Sequence, residues 1–232
     1  MLSNAIGISQ YVTVITSITI TLILGIIVVL SGKRFNSRLL AYAAVSIGLS
    51  FALSFVKVYE MPYGGSVTIG SFVPLIIFAY IYGIKAGIFA GSIYGLLQFL
   101  AGPYFLTPVQ FVLDYILAFV TISGAGLMAL LIKDHRKALI ASVPVVYVLR
   151  LIVHILAGFI FYSSMTMRAE VLPIFGDTAL MTGFVYSTLY NSTYIIPDML
   201  ISMVIIILLT ANKSFIRIIE IVSYNSKDNF TS

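Results

Sequence analysis

Apolar residues in this chain of 232 residues fall in long runs, separated by short charged or Gly/Pro-rich breaks. A run of about 20 apolar residues is the length of helix that crosses a hydrocarbon core roughly 30 Å thick. The pattern predicts membrane-spanning helices at 11–31, 39–57, 67–82, 85–101, 109–132, 138–163 and 179–211. The third and fourth are short, and the last is long enough to tilt or to project from the bilayer. Residues 1–10 carry no basic side chain, and no small-residue cleavage site precedes a soluble segment. The first run therefore reads as a retained helix rather than a secretory signal. The polar stretch Ser223 to Ser232 reads as a disordered cytoplasmic tail.

Composition strengthens the membrane reading. Hydrophobic residues make up 60% of the chain and charged residues only 9%, against about 25% charged in a soluble domain. So few charges cannot cover a water-facing surface, and lipid is the expected solvent. The formal charge of +5 points to basic cytoplasmic loops rather than to nucleic acid. With the N-terminus outside, Lys33, Arg34, Arg38, Lys85, Lys133, Arg136, Lys137, Lys213, Arg217 and Lys227 fall on the cytoplasmic side. Only Lys57 and Arg168 fall outside, and Arg150 lies within a span. This asymmetry predicts a multi-pass cell-membrane protein with its C-terminus in the cytoplasm. Six spans would reverse the N-terminus and leave the remaining topology unchanged.

Small residues mark two helix faces. Gly83, Gly87, Gly91 and Gly95 recur every fourth residue in the fourth span, and Ala44 and Gly48 form a shorter pair in the second. Such stripes let helix backbones approach closely in lipid. Each suits either internal packing or the docking of another membrane subunit.

Ionisable groups in mid-span are costly and call for a reason. Asp114 lies in the fifth span, Arg150 and His154 share a face of the sixth, and Asn191, Tyr194 and Asp198 share a face of the seventh. Tyr115, Tyr162, Tyr186 and Tyr190 lie near them in sequence. Two readings stay open for these groups. Arg150 and Asp114 could neutralise each other between helices, His154 could be a hydrogen-bonded core residue, and Asn191 could join helices. Asp198 follows Pro197, which interrupts the backbone ladder, so its carboxylate could face a water-filled break. Alternatively, a carboxylate, an imidazole, an amide and several phenols suit a flat cation with hydrogen-bonding ring edges. They do not suit a phosphate, which would require several Arg or Lys.

The missing motifs narrow the choice. Without cysteine there are no disulfides or thiolate sites. With no tryptophan, stacking falls to 15 Tyr and 16 Phe. The chain has no Walker loop, H-E-x-x-H or G-x-S-x-G. The two histidines do not make a metal site, and no mid-span lysine is available for a retinal Schiff base. No enzyme activity and no cofactor are expected.

Longer strings carry a resemblance. They are Met61-Pro62-Tyr63-Gly64-Gly65-Ser66-Val67-Thr68 continuing through Gly70 to Pro74, and Ser92-Ile93-Tyr94-Gly95-Leu96-Leu97-Gln98-Phe99 followed by Pro103-Tyr104. After these come Pro108-Val109-Gln110-Phe111-Val112-Leu113-Asp114-Tyr115, and Arg150 with His154-Ile155-Leu156-Ala157-Gly158 and Phe161-Tyr162. The last runs from Tyr186-Ser187-Thr188-Leu189-Tyr190-Asn191-Ser192-Thr193-Tyr194 to Pro197-Asp198. In this order, over roughly 38–211, they resemble thiamine-specific substrate-binding subunits (S-components) of energy-coupling factor (ECF) transporters.

The resemblance implies an all-α membrane protein: a six-helix bundle at 38–211, with a thiamine pocket near its extracellular side. An extra N-terminal helix and basic loop would occupy 1–37 and a cytoplasmic tail 212–232. It implies that Asp114 holds the aminopyrimidine or balances the thiazolium charge, where some members have Glu. Tyr115, Tyr186 and Asn191 become polar contacts, and His154 lies against a ring. Tyr94 and Tyr162 stand where some members place Trp, so stacking is expected to survive on a smaller ring. Gly65 stands where some members have another Trp, which puts that stacking contact in doubt. Arg150, Tyr194 and Asp198 become supporting residues. Ala44 and Gly48 match the pair that docks the transmembrane coupling subunit. The implied function is thiamine capture for ATP-driven uptake with that subunit and two ATPases. The alternative is a self-sufficient, proton-coupled secondary transporter of thiamine or a related heterocycle, with Asp114 or Asp198 carrying the proton.

Overall fold

The structure, a computed structural model, describes residues 36–62, 64–102, 108–164 and 179–231. Their side chains are described except at 108–109, 160–164, 179–182 and 224–231. The expected helix at 11–31 and the side chain of Tyr162 lie outside the described residues.

Helix α1 (Ser37–Ser54) starts at Asn36, whose side-chain oxygen accepts the Leu39 N–H at 2.8 Å, a favourable N-cap. An antiparallel hairpin follows, β1 (Lys57–Glu60) with β2 (Ser66–Thr68). It turns through Gly64 and Gly65 at φ 91° and 93°, a region that favours glycine. Helices α2 (Val73–Tyr82) and α3 (Ile84–Ala101) are joined by Gly83. Helix α4 covers 108–131. It passes from Pro108–Phe111 into π-helical Val112–Leu117, then through Ala118–Val120 and a 3-10 turn at Thr121–Ser123 to Gly124–Leu131. Helices α5 (His135–Ser164), α6 (Ala179–Ala211) and α7 (Lys213–Thr231) complete the described chain.

Among the described residues, five stretches are long and apolar enough to cross a membrane: Ser37–Ser54, Ile84–Ala101, Val112–Leu131, His135–Phe159 and Gly183–Ala211. The expected span at 67–82 is corrected. Its first part is strand and turn, and α2 has only 10 residues, or about 15 Å of helix. Gly70, at φ 69°, and a proline in the first turn of α2 set the break. The expected disorder from Ser223 is corrected too, because α7 continues to Thr231. This helix turns Ile219 inward and leaves Arg217 and Glu220 exposed.

Phe72, Leu75, Ile76, Ile122, Leu139, Tyr147, Ile195 and Ile206 form the centre of the core. Val45, Leu130, Leu200 and Leu208 point outward, as expected where lipid replaces water. The glycine stripe packs α3 on α4. A Cβ at Gly87 would lie 2.7 Å from Ser123 Cα, and at Gly91 and Gly95 it would strike the carbonyl oxygens of Phe119 and Tyr115. A Cβ at Gly83 would meet nothing within 4 Å, although its backbone lies close to Gly126 of α4. Ala44 is exposed, and a Cβ at Gly48 would also enter open space.

The turns α2–α3, α4–α5 and α6–α7 share one end of the bundle, where Tyr80 Oη lies 2.8 Å from His135 Nδ1. Lys85, Lys133, Arg136, Lys137 and Lys213 lie at or beside these turns. The hairpin, the end of α3 and the start of α4 occupy the opposite end.

Candidate substrate-binding site

At the hairpin end, a cavity of about 240 Å³ opens between the ends of α1 and α3, the start of α4, the hairpin, and the middles of α5 and α6. Asp114, Tyr115, Arg150, His154, Asn191 and Tyr194 line it, so three helices, α4, α5 and α6, bring together most of the residues expected from sequence. Asp114 and Tyr115 come from the π-helical stretch. Its wider turn shifts the register of the side chains, a distortion common at functional sites.

The Asp114 carboxylate lies 2.8 Å from His154 Nδ1. With neutral His154 donating from Nδ1, the acceptor is its other ring nitrogen. That atom, Nε2, is buried without a hydrogen-bond partner among the described residues. The imidazole meets Tyr194 edge-on, with ring centroids 6.1 Å apart. Asn191 both joins helices and lines the cavity. Its Nδ2 donates to the carbonyls of His154 (3.2 Å) and Ser187 (2.8 Å), and its Oδ1 accepts the Tyr194 hydroxyl at 2.7 Å. These bonds fix the α5 wall against the α6 wall.

Arg150 pairs with Asp198 rather than Asp114, its Nη1 lying 3.5 Å from Asp198 Oδ2. Asp198 is 1% exposed and does not line the cavity. It also accepts the Thr68 N–H (2.9 Å), the Thr68 hydroxyl (2.8 Å) and the Tyr147 hydroxyl (2.9 Å). The Arg150 guanidinium sits 4.4 Å from the Phe72 ring centre and 5.4 Å from that of Phe119. Asp198 is therefore the electrostatic and hydrogen-bonding anchor of Arg150 and of the root of the hairpin, and does not face a water-filled break.

Two expected contacts stand back from the cavity. Tyr94 is buried edge-on to Phe72 and Phe119, in the layer behind the wall. Tyr186 stacks on Tyr190 at 6.0 Å and 22°. Tyr190 itself lines the cavity, and its hydroxyl donates to Gly64 O at 2.9 Å, tying α6 to the hairpin turn. Gly65 has a steric reason: a Cβ there would lie 2.6 Å from the Tyr194 ring. That ring takes the space a larger residue would need.

Gln98, Gln110, Lys57 and Glu60, to which the sequence pattern assigns no site role, also line the cavity, as does Tyr190 from the expected group of phenols. The two glutamines were findable by the argument applied to Asn191, as amides inside apolar runs. The hairpin residues carry no such signal, because charged residues in a connection look solvated. Lys57 and Glu60 pair at 2.6 Å, and Arg150 is matched by Asp198. With His154 neutral, Asp114 is left as the lining carboxylate without a cationic partner among the described residues. The cavity thus suits a ligand with one positive charge and aromatic surface.

Residues 40–217 match the family described as thiamine transporter protein. The chain belongs to that thiamine transporter family. The thiamine transporter ThiT of Bacillus subtilis is 32% identical over 160 residues, covering 65% of this chain and 77% of that protein. A solved structure of ThiT from Listeria monocytogenes superposes with a TM-score of 0.60 at 26% identity. The match covers 77% of this chain and 97% of that one. As a member of the thiamine transporter family, the protein is a multi-pass, non-enzymatic transport protein, and its helical membrane bundle is the fold of ThiT.

Proposed function

We propose that the protein captures thiamine from the extracellular side, as the substrate-binding subunit of an ECF-type importer. The observation that carries this reading is the cavity's charge balance: one carboxylate, Asp114, held by His154 and by no lysine or arginine among the described residues, beside Tyr115, Tyr190, Tyr194 and Phe119. Thiamine carries one permanent positive charge on a flat heterocycle joined to an aminopyrimidine. Asp114 and the orphaned His154 Nε2 supply the charge and an acceptor, and the phenols supply stacking faces.

Direction follows from the same geometry. The cavity opens at the end remote from Lys85, Lys133, Arg136, Lys137 and Lys213, and basic loops face the cytoplasm. This supports a mouth on the outside and a C-terminus in the cytoplasm. The hairpin over 58–66 serves as the lid. Uptake then requires a coupling subunit, docked at Ala44 and Gly48, and two ATPases.

Reconstituted vesicles test this division of labour. The chain alone is expected to bind thiamine without accumulating it, while vesicles also holding the coupling subunit and both ATPases accumulate it with ATP. Accumulation by the chain alone under a proton gradient would establish secondary transport instead. Asp198 is poorly placed for that role, since three hydrogen-bond donors and Arg150 already occupy its carboxylate.

A further inference from the structure

Four buried side-chain atoms lack a hydrogen-bond partner among the described residues: Ser50 Oγ, Gln98 Nε2, Arg150 Nε and His154 Nε2. The last three belong to cavity-lining residues. Arg150 is anchored elsewhere by Asp198, and His154 by Asp114. The Gln98 amide nitrogen, in the last turn of α3, is a buried donor on a residue that lines the cavity. Buried polar groups are nearly always satisfied, so a partner is expected from the ligand or from water held in its place.

The surroundings of Gln98 define that partner. Ser54, Gly102 and Gln110 line the same end, from the ends of α1 and α3 and the start of α4. These are hydroxyl, amide and backbone groups, without formal charge. An anionic arm would find no free cation among the described lining residues, because Lys57 is held by Glu60 and Arg150 by Asp198. It would also face Asp114 and Glu60. An amide can donate and accept, which matches a neutral hydroxyl.

We propose that Gln98 forms a distinct subsite of the cavity that takes a neutral, hydroxyl-bearing arm of the ligand. This rests on the thiamine reading, in which the arm is the hydroxyethyl group of the thiazolium ring. Gln98 then determines specificity for the arm while Asp114 balances the charge of the ring that carries it.

Calorimetric titration of the purified full chain tests it, using thiamine and an analogue with hydrogen in place of the hydroxyl. Wild-type protein is expected to bind thiamine about tenfold more tightly than the analogue, the worth of one good hydrogen bond. Gln98→Met should lower thiamine affinity about tenfold and leave the analogue unchanged, abolishing the preference. Gln98→Glu, which keeps acceptor capacity, should retain part of it and keeps the test decisive if the methionine variant does not fold. Equal wild-type binding of both compounds would overturn the subsite while leaving the thiamine reading intact. So would a preference that survives Gln98→Met, or one that Gln98→Glu leaves at its full wild-type size. Wild-type protein that binds neither compound overturns the thiamine reading and the subsite with it.

Discussion

Two aspartates separated by 84 positions in sequence have opposite employment. Asp198 accepts from Thr68 and Tyr147 and matches Arg150 at 1% exposure, whereas Asp114 meets a histidine and faces the cavity. Breaking a buried, hydrogen-bonded pair costs about 3–5 kcal/mol. Asp198→Asn should therefore act chiefly on the fold, lowering the thermal midpoint in detergent. A variant that melts normally but binds no ligand would make Asp198 a ligand contact. Asp114→Asn should act on binding, weakening thiamine roughly 30-fold, or about 2 kcal/mol for a lost close charge partner, with the thermal midpoint of the ligand-free protein little changed. Unchanged affinity would remove Asp114 from the ligand site. At this scale the sequence was legible in part. Mid-span charge singled out Asp114, Arg150, His154 and Asp198 correctly as residues with a reason to be there. It could not pair them, because partner choice depends on helix rotation, and the π-helical turn at Val112–Leu117 has no signature in an apolar run.

Elements explain how the site keeps its shape. Helix α3 lies so close to α4 that a side chain at Gly91 or Gly95 would collide with a carbonyl oxygen of α4. The Tyr115 carbonyl against Gly95 belongs to the π-helical stretch that presents Asp114. Gly95→Leu should push the two helices apart and lose both stability and thiamine binding, read as a lower melting temperature and weaker calorimetric affinity. The same substitution at Gly48, where nothing lies within 4 Å, should leave both unchanged. Periodicity found the glycine stripe without fixing its use, since packing and docking stripes read alike. The hairpin was less legible still. Hydropathy merged Val67 and Thr68 with α2, because it records burial and not backbone conformation. The hairpin is tied at its turn by Tyr190 to Gly64 and at its root by Thr68 to Asp198.

The basic turns and the cavity occupy opposite ends, and the α1 face bearing Ala44 and Gly48 is exposed among the described residues. On the proposed function, capture and coupling fall to separate surfaces. Ala44→Trp should leave thiamine affinity unchanged and abolish ATP-driven uptake by obstructing the coupling subunit. Normal uptake by that variant would remove this face from the docking surface. The central claim, that the cavity is a thiamine site, is tested most directly by equilibrium binding to the purified, ligand-free chain. The account predicts saturable binding of one thiamine per chain, lost or strongly weakened in Asp114→Asn. Properly folded wild-type protein with no measurable affinity for thiamine would contradict it.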